Sequence, residues 1–390
     1  MASPPDCSTL DVESAVRERY GSAAREREEA LCCPVDYDPR HLDAIPQEVL
    51  ERDYGCGDPS RYLKEGDVVL DLGSGGGKIC FIASQVVGKK GLVIGVDMND
   101  EMLALARGSA PEVAERIGYA NVTFHRARIQ DLALDLDRLD ARLKETPVTS
   151  ARELAGLEEY AERMRRTGPL IADDSVDVVI SNCVLNLVRD ADKSGLIREI
   201  FRVVKPGGRI AISDIVSDEI VPDALKADPK LWSGCIAGAF QEEELLHRLE
   251  DAGFYGIAVD SWSDTPFSVV EGIEFRAVTV TARKGKEGPC REGNHAVIYK
   301  GPWKQVEDDD GHLLRRGERT AVCAKTFRIY SDPPYARHLI PVPPRVEVPE
   351  GEQKAFDCAR TAPRHPRETK GAGYDETSEG SGGCCPPGAA

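Results

Sequence analysis

Long apolar runs, concentrated positive charge and closely spaced cysteine pairs of the C-x-x-C type are all missing from this 390-residue chain, and each absence excludes something. With no stretch of about 18 apolar residues, a membrane-spanning helix is not expected. The opening Met1-Ala2-Ser3-Pro4-Pro5-Asp6 carries neither the basic nor the apolar stretch of a secretory leader, so a soluble, cytoplasmic chain is expected. The net charge is −17, with acidic residues spread along most of the length. A phosphate backbone would meet repulsion, and nucleic acid is not an expected partner. No internal repeat is found, and no heptad or exposed apolar stripe points to assembly, so a monomer is expected.

What the chain does hold is cysteine, twelve residues at irregular spacings. That pattern does not suit the disulfide framework of a small secreted scaffold, and free, working thiols are the better expectation. The length allows two folded units plus tails. Residues 1–55 read as a charged, helix-prone segment carrying Cys32-Cys33, with Pro34 breaking any helix there and a second helix over His41–Glu51. From 56 to 283, apolar runs ending in glycine alternate with helical periodicity, which predicts an α/β fold: a doubly wound, Rossmann-like parallel sheet. The predicted strands are Asp67–Leu72, Leu92–Asp97, Val122–Arg126, Val176–Ser181 and Arg209–Asp214, with Val259–Trp262 and Phe275–Ala282 added at one edge. Helices are predicted over Ile79–Val87, Asp100–Ile117, Lys193–Val203 and Glu242–Ala252.

A stretch rich in Arg, Glu, Leu and Ala near 134–170 interrupts the step from third to fourth strand and reads as a helical insertion, capping the site or, as we favour, decorating the surface. Residues 284–347 have strand-like runs at Ala296–Tyr299 and Lys325–Tyr330 and read as a smaller C-terminal α+β domain. Residues 348–390 read as a flexible tail, too poor in apolar side chains to order itself, ending in Cys384-Cys385.

The segment Val68-Val69-Leu70-Asp71-Leu72-Gly73-Ser74-Gly75-Gly76-Gly77 is an apolar strand entering a glycine-rich turn and then a helix. Such a turn sits at the carboxyl edge of a doubly wound sheet, where ligands bind. A dehydrogenase begins similarly, but the G-x-G-x-x-G fingerprint would want glycine where Lys78 stands. Asp97 ends the next strand, where a carboxylate can accept from both hydroxyls of a ribose; Ile129-Gln130-Asp131 follows the third strand and could frame an adenine. With the turn Lys205-Pro206-Gly207-Gly208, these elements resemble the class I methyltransferase fold over about Asp67 to Val216. The resemblance implies S-adenosylmethionine as cofactor, with Asp71 orienting its cationic methionine end. The expected cofactor contacts are Asp71, Gly73, Gly75, Asp97, Met98, Ile129, Gln130 and Asn182.

Four thiol positions stand out: Cys32-Cys33, Cys56 in Tyr54-Gly55-Cys56-Gly57, Cys183 in Ser181-Asn182-Cys183-Val184-Leu185-Asn186, and Cys235 after Leu231-Trp232. Cys183 directly follows the fourth strand, on the edge where a transferable methyl group would point. Cys80 lies on an apolar helix and reads as a small buried hydrophobe. Structural zinc at the four positions is disfavoured by their long spacings and by the lack of a nearby histidine. These local sequences, together with Gly382-Gly383-Cys384-Cys385, resemble arsenite methyltransferases from about Cys32 through the C-terminal domain.

The resemblance implies that Cys183 and Cys235 hold trivalent arsenic, that Cys56 is a third ligand or a redox partner, and that the fourth family cysteine is Cys32 or Cys33. It further implies a disulfide between Cys33 (or Cys32) and Cys56, reduced by thioredoxin or glutathione. Thiolates suit soft trivalent arsenic, supplied as arsenite or its thiol conjugates. Its free lone pair is the nucleophile, so no catalytic histidine or carboxylate dyad is expected. Competing readings are a class I methyltransferase acting on a small organic acceptor and a thiol protein that only sequesters metalloid. Cys290 and Cys323 are expected to be shielded and structural, and Cys384-Cys385 to be either a metalloid-capturing pair or a redundant tail.

Overall fold

The computed structural model describes residues 11–26, 28 and 35–377, which fall into two compact units dividing after Gly285. Among the described residues no helix is long and apolar enough to cross a membrane. In the first unit the strands are β1 Val68–Leu72, β2 Leu92–Asp97, β3 Val122–Arg126, β4 Val176–Asn182, β5 Val204–Ser217, β6 Phe240–Gln241, β7 Tyr255–Trp262, β8 Ser268–Val270 and β9 Ile273–Arg283. Its helices are α1 Val12–Ala23, α2 Gln47–Glu51, α3 Lys78–Val87, α4 Asp100–Ile117, α5 Leu136–Glu145, α6 Ala151–Thr167, α7 Asp190–Val203, α8 Asp223–Lys226, α9 Pro229–Ser233 and α10 Glu242–Asp251.

The sheet runs β3-β2-β1-β4-β5-β9-β7, with β1 to β5 parallel and β9 antiparallel between β5 and β7. This is the expected class I methyltransferase arrangement. Four of the five β1 residues are buried, as a central strand covered on both faces requires. Strand order reverses between β1 and β4, so their carboxyl ends open a crevice at the switch point. α4 shows how locally its neighbour is specified. The Asn99 side chain accepts from Met102 N at 3.0 Å, Asp100 and Glu101 occupy the first turn, and Gly118 ends the helix at φ +85.

The insertion forms α5 and α6, seated on a small cluster of Leu134, Ala161 and Met164 and tied down by Arg165 to Asp131 at 2.8 Å. It lies on the surface of the first unit. The helix expected over His41–Glu51 is reduced to α2, because Pro46 stands at its N-cap.

The second unit holds β10 Arg291–Glu292, β11 Ala296–Tyr299, β12 Gln305–Glu307, β13 Leu313–Arg315, β14 Arg319–Ala321, α11 Ala324–Tyr330, β15 Leu339–Val342, β16 Lys354–Ala355 and α12 Pro366–Lys370. Two expectations are corrected here. Lys325–Tyr330 is helical, because Cys323 caps it by accepting from Thr326 N at 3.3 Å. Residues 348–377 are not a loose tail: β16 pairs with β10, and buried Arg364 joins Glu292 and Glu368, each at 2.8 Å.

Candidate active site

The glycine turn after β1 is closed by its own backbone. Gly73 N and Ser74 N donate to Val96 O at 2.8 and 3.0 Å, and Gly73, Gly75 and Gly77 all have positive φ. A Cβ on Gly73 would lie 2.4 Å from Val184, so this turn and the segment after β4 approach too closely for any side chain. Asp97, at the end of β2, accepts from Gly75 N at 2.8 Å and Asn99 N at 2.9 Å. Burial raises its carboxyl above the ordinary value, and these backbone donors oppose the shift. Asp71 is buried, with Cys80 Sγ donating to it at 3.2 Å, and burial pushes its carboxyl up to about 7. Cys80 is thus buried as expected, but beside a carboxyl group.

Asp71, Gly73, Gly75, Asp97, Met98, Ile129, Gln130, Asn182 and Cys183 all line one cleft of about 1150 Å³, its open mouth included. No residue of the 134–170 insertion lines it, which favours decoration over a cap. Sequence reasoning missed one wall. Glu13, Val16, Arg17 and Tyr20 of α1 border the cleft, held there by packing of Val12 and Val16 against Trp232 and Ala237. Contacts distant in sequence place α1 there: the Arg19 bond to Lys230 O of α9 at 2.9 Å, the Asn99 bond to Arg17 O at 3.2 Å and the Arg128 bond to Glu13 at 2.9 Å.

The cysteines meet at the same edge. Cys56 and Cys183 are joined by a disulfide, and Cys235 Sγ donates to Cys183 O at 3.1 Å. This corrects the expected Cys33–Cys56 bond as far as Cys56 is concerned; Cys32, Cys33, Cys384 and Cys385 lie outside the described residues. The physical reason is Asn182. Its Oδ1 accepts from Cys56 N at 2.8 Å and Gly57 N at 3.0 Å, and its Nδ2 donates to Gly57 O at 2.8 Å. The Cys56 loop is therefore fastened to the residue next to Cys183. Gly55 permits the approach, since a Cβ there would sit 2.1 Å from Asn182. So Asn182 lines the cleft but spends its amide on the loop, a positioning role that sequence reasoning did not assign.

Asn186 does the same on the other side, donating to Ile215 O at 2.6 Å and to Cys235 O at 3.2 Å. Asp214 anchors the turn between the two asparagines by accepting from Leu185 N at 2.9 Å, and burial pushes its carboxyl up to about 7. Cys183 and Cys235 both hold left-handed backbone, φ +57 and +62, a costly conformation for non-glycine residues that surrounding structure must enforce. Tyr20 lies between the cleft it lines and Cys235, its hydroxyl 4.0 Å from that sulfur.

A doubly wound sheet with its glycine turn, an aspartate closing the second strand and a cleft at the switch point defines a class I S-adenosylmethionine-dependent methyltransferase. A methyltransferase-domain family model matches residues 63–167 and 166–253, and a model described as a domain of unknown function matches 286–374. The chain is 31% identical to the arsenite methyltransferase of Aquipseudomonas alcaligenes, over 84% of this chain and 90% of that protein. It is 32% identical to the human arsenite methyltransferase over 77% and 75%. Among solved structures, the arsenic(III) S-adenosylmethionine methyltransferase of Chlamydomonas reinhardtii matches with a TM-score of 0.55 and 25% identity, covering 85% of this chain and all of that one. The chain belongs to the arsenite methyltransferase family.

Proposed function

We infer that this protein methylates trivalent arsenic, from arsenite or its thiol conjugates, with S-adenosylmethionine as methyl donor. The observation that carries the reading is that Cys183 stands both in the wall of the cofactor cleft and in sulfur contact with Cys56, beside Cys235. The residues present fit the cofactor. The Ser74 hydroxyl faces that cleft buried and without a hydrogen-bond partner, side chains at Gly73 and Gly77 would meet Val184 and Phe124, and Asp71 and Asp97 offer carboxylates to cationic and hydroxyl groups. When bound, S-adenosylmethionine supplies a methyl group already activated on a sulfonium sulfur.

The chain's own work is to hold the acceptor. Reduced Cys56, Cys183 and Cys235 bind arsenic through sulfur, leaving its lone pair toward the cleft, and no general base is needed because no proton has to be removed. Fixing acceptor and donor in one geometry is worth on the order of 7–11 kcal/mol in well-oriented reactions. Methylation takes arsenic from the trivalent to the pentavalent state. Two thiolates return it by giving up two electrons and joining as a disulfide, and Cys56–Cys183 is such a pair. A dithiol of the thioredoxin type or two glutathione molecules then reduce that bond by exchange, which suits a monomer in a reducing cytoplasm.

The test is incubation of purified protein with arsenite, S-adenosylmethionine and excess thiol, with arsenic species separated chromatographically. Methylated arsenic and S-adenosylhomocysteine are expected together. S-adenosylhomocysteine formed only with a small organic acceptor would contradict the reading.

A further inference from the structure

One cluster of chemistry-bearing side chains is left unused by this mechanism. In the second unit Cys290, Cys323 and Cys358 bring their sulfurs within 4.8 Å of one another. They come from three separate segments: the residue before β10, the N-cap of α11 and the loop after β16. Backbone pairing brings the first and last together, since Arg291 faces Ala355 across β10 and β16 and Phe356 N donates to Cys290 O at 3.0 Å. Cys323 is wholly buried beneath them. All three remain thiols, although Cys56 and Cys183 of the same chain are bonded. A disulfide would use two sulfurs and strand the third; three converging sulfurs form the donor set of a thiophilic cation.

Near Cys323 stands a buried, fixed histidine, His312. Its side chain is 1% exposed, its Nδ1 meets Asp308 Oδ2 at 2.9 Å, and its Nε2 has no hydrogen-bond partner. Tyr330 donates to the same Asp308 oxygen. The carboxylate fixes this ring, which forms with Asp308 and Asp310 a group separate from the three sulfurs. His312 and Cys323 are also electrostatic neighbours. The unit around them is thinly cored: its strands form three small sheets, and its main apolar cluster is Val297, Tyr299, Leu314, Val322, Tyr330 and Leu339. Small units of this kind commonly depend on a metal cross-link.

We propose that Cys290, Cys323 and Cys358 bind a zinc ion, with water completing its coordination, and that the ion fastens the second unit. Binding releases the three thiol protons to solvent and changes no oxidation state. The competing occupant is arsenite itself, which also accepts three sulfurs.

The test is elemental analysis of full-length protein after dialysis against a weak chelator. About one zinc per chain is expected, kept in Cys56→Ser and Cys183→Ser and lost in Cys290→Ser and Cys358→Ser. Cobalt substitution of the Cys183→Ser chain, in which the second unit is intact, keeps the result independent of whether the other serine variants fold: a thiolate-to-cobalt charge-transfer band is expected. Three outcomes would overturn the proposal: no zinc and no such band, zinc lost with Cys56 or Cys183 instead, or arsenite but not zinc retained by the Cys290 cluster.

Discussion

Six cysteines of this chain form two trios, and their surroundings separate two uses of one side chain. Cys56, Cys183 and Cys235 gather at the edge of a cofactor cleft, two of them on left-handed backbone, two already joined, and their loops clamped by Asn182 and Asn186. Cys290, Cys323 and Cys358 converge without bonding, gathered by a strand pair and a helix cap. Under the proposed mechanism the first trio changes partners during turnover, whereas the second keeps one. The amino acid is the same, and the backbone around it decides its chemistry.

The comparison breaks most sharply at Cys183. Cys183→Ser is expected to lower arsenic methylation by at least about 100-fold, roughly 3 kcal/mol of transition-state stabilisation, while S-adenosylmethionine still binds in equilibrium dialysis. Next in size, Asn182→Ala removes three hydrogen bonds to the Cys56 loop. At about 1 kcal/mol each, turnover should drop on the order of 10- to 100-fold with cofactor affinity nearly unchanged. A larger loss in affinity than in turnover would return Asn182 to the cofactor contacts.

In the second trio, Cys358→Ser should lower the thermal midpoint by several degrees, at about 4–8 °C per kcal/mol for a chain region of this size. Scanning calorimetry would locate that loss, and turnover per folded molecule should be kept.

The smallest effect concerns pH. The Asp71 carboxyl, pushed up to about 7 by burial, is largely protonated below that value when the cleft holds no cofactor. A cation bound beside it favours the carboxylate, so binding releases a proton. Cofactor affinity should therefore rise as pH rises toward 7 and level off above it. Titration calorimetry in buffers of different ionisation enthalpy reads the proton release, which Asp71→Asn should abolish.

Much of the first unit was legible in the chain. Asp100–Ile117 was predicted residue for residue because its cap, first turn and terminal glycine are all local signals. The residues lining the cleft could be read from strand ends that a doubly wound sheet must bring together. What escaped was whatever depends on contacts distant in sequence. The α1 wall relies on Trp232 and Ala237, and the Asn182 clamp on a loop that precedes β1. The Cys33–Cys56 pairing was inferred from family likeness, whereas the position of Cys56 is set by that clamp. Cys290, Cys323 and Cys358 share no short spacing, so only the fold shows them as a group. Cys323 also hid a helix start, because a cysteine cap is not among the common N-cap residues.

A single-turnover experiment on fully reduced protein tests the central claim most directly. Wild-type and Cys183→Ser chains, each saturated with S-adenosylmethionine and given one equivalent of arsenite without external thiol, are quenched and assayed for methylated arsenic and for disulfide. The wild type should yield methylarsenic with a matching loss of two thiols per turnover, and the variant neither. Equal methylation by the variant would contradict the assignment of Cys183 as the sulfur that holds arsenic at the cofactor cleft.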